Sequence, residues 1–255
     1  MKWMSYRLLY LVISLIVIGS GIFGHFNWGF KLGIDFTGGV VAEYKLSNGS
    51  IKTVKSEKER DELKSQSATE LRFENVGPSV GPELIKKTLY ALALSAGLIL
   101  LWIAIQFKSF KFGISATLAT LHDSLVLLGS FAILGHFFGA QIDFLFVTAM
   151  LITLSFSVHD TIVVFDRIRE SKKKFSGNMY DLANKAITET MIRSLNNSFT
   201  IIFMLVALIL LGGETIKWFA VALLIGTISG TYSSPFVAVP ILVTWDALEK
   251  KLKRR

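Results

Sequence analysis

The sequence contains no cysteine, and this absence excludes disulfide bonds, zinc–thiolate centres and thiol redox chemistry. It also lacks the G-x-x-x-x-G-K-[ST] loop that binds nucleotide phosphates in many ATP-driven proteins. Any energy that the protein uses must therefore come from an ion gradient or from a partner. We expect a protein without enzymatic activity and without a bound cofactor.

Charge is also missing over long stretches of the chain. Only 18% of the 255 residues are charged, whereas 52% are hydrophobic, and Lys, Arg, Asp and Glu are nearly absent from six runs. Those runs are residues 8–24, 88–107, 113–135, 144–165, 195–213 and 218–243. Each approaches the ~20 apolar residues that cross a ~30 Å hydrocarbon layer as a helix. The sequence therefore predicts a mainly α, polytopic membrane protein with a bundle of six transmembrane helices.

The formal net charge of +8 is distributed unevenly about these six spans. Lysines and arginines precede span one, fill the turn between spans two and three, follow span four and end the chain, whereas the opposite short loops hold few charges. This asymmetry is typical of the positive-inside rule and predicts that both termini are cytoplasmic. The basic excess then serves topology and contact with the lipid bilayer, so binding of nucleic acid is the weaker interpretation.

The first apolar run also has features of a signal peptide, because Lys2 and Arg7 precede it and small residues stand at 19–21. Cleavage there would leave five spans and place the basic C-terminus outside. We therefore expect residues 1–25 to remain as the first transmembrane helix.

Residues 26–83 form the one sizeable hydrophilic segment on the side opposite the termini. β-type residues with partial alternation at 40–46 and 70–76 flank a charged stretch, 52–67, that can hold one short helix. We expect a small extracytoplasmic α+β domain with two or three strands. A domain of this size without disulfides is marginal alone, so we expect it to complete its sheet against a partner or to rest on the membrane.

The rest of the bundle occupies residues 84–249, with a cytoplasmic connector at 166–193, and a basic tail covers 250–255. Apolar residues recur at helical spacing in the connector: Leu182, Ala186, Ile187 and Met191. This spacing predicts either an amphipathic helix on the inner membrane interface or an ordinary connector that orients span five. We favour the ordinary connector.

Span four carries an ionisable group inside the predicted membrane region. Thr153, Ser157 and Asp160 are spaced so that they share one helical face. Asp160 lies roughly 7 Å from the cytoplasmic end of the span at 1.5 Å per residue. Because lipid exposure of such a face costs several kcal/mol, we expect it to point into the bundle or into a watery cavity.

Span five begins with a matching set of polar residues. Arg193, Asn197 and Thr200 have the same spacing, and Arg193 enters the membrane at a depth similar to that of Asp160. A nearby guanidinium favours the ionised carboxylate, whereas burial disfavours it. These opposed effects suit a proton relay, but a static salt bridge between the two spans is equally compatible with the spacing.

Three other polar residues have simpler interpretations. His159 is one position round the helix from Asp160, and we expect it to face elsewhere in a packing or interfacial role. Asp123 in span three is a second buried candidate that could hydrogen-bond to the polar face of span four. Asp143 at the outer start of span four is most simply a helix cap, with an outer proton entrance as the alternative.

Six short motifs, in order along the chain, resemble those of the SecF branch of the SecD/SecF family of protein-export subunits. They are GIDFTGG at 33–39, ENVGPSVGPEL at 74–84, HDS at 122–124, SVHDTIVVFDRIRE at 157–170, GGE at 212–214 and GTYSS at 230–234. The resemblance covers nearly the whole chain. It implies a six-helix bundle related to the resistance-nodulation-division transporters.

The resemblance also implies a function. It implies that the protein acts with SecD in the cytoplasmic membrane of a prokaryote and uses the proton motive force to promote translocation of a polypeptide through the SecYEG channel. It assigns proton movement to Asp160 and Arg193, which favours the relay over the static salt bridge. The alternatives are half of a proton-driven exporter of the resistance-nodulation-division type and a purely structural assembly subunit.

Two features depart from the family pattern. The family usually has Asn at the position of His159, so a second titratable group stands beside Asp160 here. The extracytoplasmic segment is also short, and we therefore expect SecD to make most of the contact with the exported polypeptide.

Overall fold

Helices make up most of the computed structural model, which describes residues 2–46, 50–54, 59, 61–62, 69–77, 80–175 and 177–253. The long helices are α1 (Arg7–Trp28), α2 (Val80–Phe107), α3 (Phe110–Phe138), α4 (Phe144–Lys174), α5 (Met179–Leu211), α6 (Glu214–Ser233) and α7 (Val239–Lys253). Within the described residues, six helical segments are long and apolar enough to cross a membrane, with α6 and α7 forming one of them. Each overlaps one of the six predicted runs, so the prediction of a six-span membrane protein is confirmed.

A π-helical turn, Ser234–Ala238, separates α6 from α7 within the sixth span. Pro235 lies in this turn. A proline has no backbone N–H to donate, and its ring crowds the carbonyl one turn earlier, so a regular α-helix cannot continue through it. The helix widens locally instead, as π turns commonly do, and the turn holds Ser234 buried inside the bundle.

Glycine contacts allow the helices to approach closely. A Cβ atom placed on Gly21 of α1 would lie only 2.5 Å from the Cα of Gly129 on α3. A Cβ on Gly230 of α6 would lie 3.1 Å from the Cβ of Ser157 on α4, and one on Gly226 would overlap Thr153. Small residues at four-residue spacing thus form the α4–α6 contact, as the sequence of span six predicts.

Two apolar clusters fill opposite ends of the bundle. One contains Phe107, Phe165 and Ile187 and lies at the end where α2 stops and α5 begins, here called the charged end. The other contains Phe131 and Phe146 and lies towards the opposite end, here called the sheet end. Along α3, α4 and α6, the residues between the two clusters are polar and buried: Asp123, Ser157, Asp160, Ser229 and Ser233. The bundle therefore has a polar layer between two apolar ones.

A three-stranded antiparallel sheet stands between α1 and α2. Its strands are β1 (Gly39–Lys45), β2 (Ile51–Val54) and β3 (Thr69–Val76), in the order β2-β1-β3. Ala42 of β1 pairs with Val54 on one side and with Phe73 on the other. The three strands agree with the predicted sheet, although 51–54 extends β structure into the stretch expected to be helical. Residues 59, 61 and 62 are helical, and the rest of that expected helix lies outside the described residues.

The chain between α1 and the sheet is tied to the loop that connects α3 with α4. The backbone N–H of Gly33 donates to the carbonyl of Ile142 at 2.8 Å, and the carboxylate of Asp35 accepts from the N–H of Phe144 at 2.8 Å. Gly38 follows with φ of 71°, a conformation that favours glycine. The GIDFTGG motif therefore anchors the sheet to the bundle.

The connector predicted at 166–193 is built from extensions of α4 and α5. Leu182, Ala186 and Ile187 are buried, and Ala186 and Ile187 belong to the apolar cluster at the charged end. The N-terminal segment also holds this part of α5, since the indole N–H of Trp3 donates to the hydroxyl of Thr188 at 2.9 Å. An amphipathic helix on the membrane interface is therefore not what forms here, because the apolar face is covered by protein. The interpretation as an ordinary connector agrees with the structure.

The close α1–α3 contact predicts a position-dependent effect of one substitution. Gly129→Ala places a methyl group against Gly21, and we expect it to lower the free energy of unfolding by about 1–3 kcal/mol. Gly97→Ala is the matched control, because a Cβ there meets nothing within 4 Å and alanine favours a helix over glycine, so this change should not lower stability. Thermal unfolding of the purified protein in detergent measures both. Equal losses would show that the α1–α3 contact is not close.

Candidate functional site

Asp123 is the centre of the polar layer and is only 3% exposed. Its Oδ2 accepts hydrogen bonds from the hydroxyls of Ser157 and Ser233, both at 2.6 Å. Its Oδ1 accepts from the hydroxyl of Ser229 at 2.6 Å and lies 3.1 Å from Nδ1 of His122. The predicted hydrogen bond from span four to Asp123 is therefore present. A carboxylate that is buried away from water needs several hydrogen-bond donors to replace the lost water. Here the contacts come from residues of α3, α4 and α6.

Asp160 lies on the same face of α4, closer to the charged end, and is 4% exposed. The hydroxyl of Ser194 on α5 donates to its Oδ2 at 2.5 Å. Ser234 in the π turn lies near Asp160, and its hydroxyl makes hydrogen bonds elsewhere. Ser234 lies 2.9 Å from the hydroxyl of Thr161 and 3.2 Å from the carbonyl of Ser157. The π turn thus brings a serine between the two buried carboxylates.

Arg193 is near enough to Asp160 for an electrostatic interaction. Its side chain is exposed, however, and no ion pair among the described residues joins the two. Successive residues of an α-helix point about 100° apart, so the next residue, Ser194, turns inward to the carboxylate while Arg193 turns outward. The predicted face of α5 is real, but it lies outside this bundle.

That outward face of α5 is polar within a membrane-spanning helix. Its exposed members are Arg193, Asn196, Asn197 and Thr200. The hydroxyl of Thr200 is satisfied by the carbonyl of Asn196 at 2.9 Å. A guanidinium and two amides exposed to hydrocarbon are costly, and polar groups in spanning helices normally face protein or a watery cavity. Across the part of the chain that the structure describes, no residue covers this face.

The other predicted residues behave as follows. His159 is exposed, so it does face away from the buried side of α4. Thr153 is buried, and its hydroxyl donates to the carbonyl of Met150 at 2.9 Å. Asp143 caps α4, because its carboxylate accepts from the N–H of Phe146 at 2.7 Å. The cap interpretation of Asp143 is confirmed.

Sequence reasoning missed the hydroxyls that complete the site. The sequence analysis identified none of Ser229, Ser233 and Ser234 as site residues, and it singled out Arg193 and not the neighbouring Ser194. The available signal was the i, i+4 repeat of Ser229 and Ser233, which places two hydroxyls on one face opposite a buried aspartate. Within the described residues, no group of three or more His, Asp or Glu side chains could hold a metal ion.

Comparison with known proteins identifies the family. The model of the C-terminal region of the protein export membrane proteins SecD/SecF matches residues 55–248, and the model of the SecD/SecF GG motif matches residues 29–49. The chain belongs to the SecD/SecF family. The second match contains the glycine turn that anchors the sheet, and the first contains the whole polar layer.

Individual relatives agree with this assignment. Protein translocase subunit SecF of Thermobaculum terrenum is 51% identical over 69% of this chain and 57% of that protein. Protein translocase subunit SecF of Anaerolinea thermophila is 34% identical over 95% of this chain and 93% of that protein. The crystal structure of SecDF from Thermus thermophilus, a translocon-associated membrane protein, matches with a TM-score of 0.85 at 28% identity. That match covers 97% of this chain and 39% of the SecDF chain.

The hydrogen bonds of Asp123 predict unequal effects of two identical substitutions. Ser229→Ala removes one of the donors to a buried carboxylate, and we expect it to lower the free energy of unfolding by about 1–3 kcal/mol. Ser124→Ala is the control, since this hydroxyl bonds only the carbonyl of Thr120 in its own helix and its loss should stay within about 0.5 kcal/mol. Chemical or thermal unfolding in detergent compares them. A silent Ser229→Ala would contradict the assignment of Asp123 as the centre.

Proposed function

We propose that the chain is an auxiliary subunit of the Sec protein-export machinery and acts with a SecD subunit to couple the proton motive force to polypeptide translocation. Family membership supports the export role. The observation that carries the coupling is the position of Asp160, which is buried and hydrogen-bonded to Ser194 directly beside the uncovered Arg193. A titratable group at a helix contact, next to a cation that awaits a partner, can link proton binding to movement between subunits.

The polar face of α5 supports SecD as the partner. Arg193 and its polar neighbours need a protein surface with acceptor groups inside the membrane. The SecDF relative contains more than twice the length that this chain matches, so a related chain can supply a second part beside this bundle. In our proposal SecD covers the face and places an acceptor or a carboxylate against Arg193. Contact with the SecYEG channel and with the exported polypeptide then belongs to the assembled complex.

Protonation of Asp160 has a defined consequence for the contacts around it. The ionised carboxylate accepts a hydrogen bond from the hydroxyl of Ser194 on α5. When the carboxylate binds a proton, it becomes a donor and accepts hydrogen bonds less strongly, so the hydroxyl of Ser194 loses its preferred partner. The proton therefore weakens the contact that joins α4 to α5. A partner subunit that contacts α5 would respond to this local change.

The direction of proton movement follows from the expected topology. The lysine- and arginine-rich loops and both termini lie at the charged end, which we assign to the cytoplasm. Asp160 is nearer to this end than Asp123 is, so it is suited to release protons towards the cytoplasm. The short sheet domain then lies outside the membrane on the far side, where the polypeptide emerges.

Substitution of Asp160 tests the coupling. In cells depleted of their own SecF and supplied with SecD, we expect this chain to restore secretion of a reporter protein and Asp160→Asn to fail at equal membrane levels. Asp143→Asn is the matched control, because asparagine caps helices as well as aspartate does and should support export.

Two outcomes of this assay would count against the proposal. If Asp160→Asn restores export as well as the parent chain, the carboxylate is a static contact and the protein is a structural assembly subunit. If Asp143→Asn also fails, the outer carboxylate takes part in proton movement and the cap interpretation is incomplete.

Arg193 gives a second test that separates folding from function. The side chain is exposed in the chain by itself, so Arg193→Gln should change the free energy of unfolding by no more than about 0.5 kcal/mol. We expect the same variant to lose export and to co-purify less SecD than the parent. Lys217→Gln, which removes an exposed cation paired only with Glu214, is the control and should retain both. Unfolding of isolated Arg193→Gln at much lower temperature would place Arg193 inside the fold instead.

A further inference from the structure

A pocket of about 320 Å³ opens at the charged end of the bundle, away from the polar layer. It lies between the end of α2, the start of α3, α4, the start of α5 and α7. Aromatic rings of Phe107 and Phe112 form part of its wall. Four cationic side chains and one carboxylate also line it: Lys108, Lys111, Arg169, Lys172 and Asp246. The lining therefore combines apolar surface with an excess of positive charge.

Two of the four cations have no counter-charge within the described residues. Lys111 forms an ion pair with Glu249, and Arg169 donates to Asp166 at 2.6 Å. The carboxylate of Asp246 is itself paired with Lys250 at 2.8 Å. Across the ranges that the structure covers, Lys108 and Lys172 form no ion pair. The pocket thus presents two uncompensated ammonium groups.

Lys108 stands in a backbone conformation that disfavours lysine. Its φ is 50°, and it is the one described non-glycine residue with positive φ. The N–H of Ser109 donates to the carbonyl of Ala104 at 3.1 Å, and the N–H of Lys108 donates to that of Ile105 at 3.2 Å. This is the Schellman ending of a helix, in which the left-handed position is usually glycine. The positive-inside rule requires a positive charge near this turn, but it does not require a lysine at the residue with positive φ.

We propose that this pocket binds the phosphate of an anionic phospholipid. The pocket lies where the apolar parts of spans two and three end, so it is at the level of the headgroups. Clustered cations between transmembrane helices at a cytoplasmic boundary suit such headgroups. The aromatic wall suits the glycerol and the first acyl carbons, which a free phosphate ion lacks. Lys108 and Lys172 supply the positive charge for the phosphate, and Arg169 and Lys111, which are ion-paired with the protein, line the walls of the pocket.

The test uses the full chain, purified in a neutral detergent and titrated with phosphatidylglycerol. Native mass spectrometry measures the bound lipid, and thermal unfolding measures the stabilisation. We expect one phosphatidylglycerol to remain bound and to raise the unfolding temperature. The double variant Lys108→Gly/Lys172→Gln should bind it about twenty-five-fold more weakly, because each of the two cations near a phosphate contributes roughly fivefold. Lys173→Gln/Lys174→Gln removes the same charge from neighbouring exposed positions and should bind like the parent.

A failure to fold would not explain weaker lipid binding by the Lys108→Gly/Lys172→Gln variant. Lys108→Gly relieves the left-handed strain, so the lipid-free unfolding temperature should stay the same or rise. Equal weakening of the two double variants would overturn the proposal and leave only general attraction to anionic lipid. Equal stabilisation by phosphatidylcholine would exclude a requirement for net negative charge. Equal stabilisation by inorganic phosphate would show that the lipid is not the ligand.

Discussion

The close contact between α4 and α6 is the constraint on which the polar layer depends. Because Gly226 and Gly230 have no side chains, α4 and α6 approach each other closely. In this arrangement the hydroxyls of two serines of α6 lie within 2.6 Å of the carboxylate of Asp123 on α3. Without these hydroxyls, a buried carboxylate in a membrane bundle would lack the donors that compensate for lost water. The same contact places the π turn of the sixth span, and with it Ser234, beside Asp160.

The two buried carboxylates differ in what surrounds them. Asp123 is bonded by residues of three helices and joins α3, α4 and α6 into one unit. Asp160 is hydrogen-bonded by Ser194 on α5, which is adjacent to a polar face that no described residue covers. In the function that we propose, Asp123 holds the bundle together and Asp160 changes the α4–α5 contact when it binds a proton. One polar layer would then contain both a rigid centre and a proton-sensitive contact.

The sequence was sufficient for the spans, the three-stranded sheet and the buried face of Thr153, Ser157 and Asp160, because hydrophobic length and helical periodicity decide these features. It was insufficient for α5, since periodicity shows that Arg193 and Asn197 share a face but not which way that face points. The residue of α5 that does face the bundle, Ser194, carries no charge, so the sequence did not mark it as a partner of Asp160. The serines of α6 were not predicted as site residues, because their hydroxyls act only through tertiary contacts, which the sequence of a single helix does not reveal. The connector was correctly favoured over an interface helix, since its apolar residues are covered by the N-terminal segment and by α4.

The central claim is that Asp160 binds and releases a proton when the complex with SecD works. Infrared difference spectroscopy on the reconstituted complex tests it most directly, by recording the carboxyl C=O stretch as the pH on the far side of the membrane is lowered. We expect a band from a protonated buried carboxyl that is absent from Asp160→Asn and retained in Asp143→Asn. Identical difference spectra for the parent and Asp160→Asn would contradict the account and leave Asp160 as a fixed hydrogen-bond acceptor between α4 and α5.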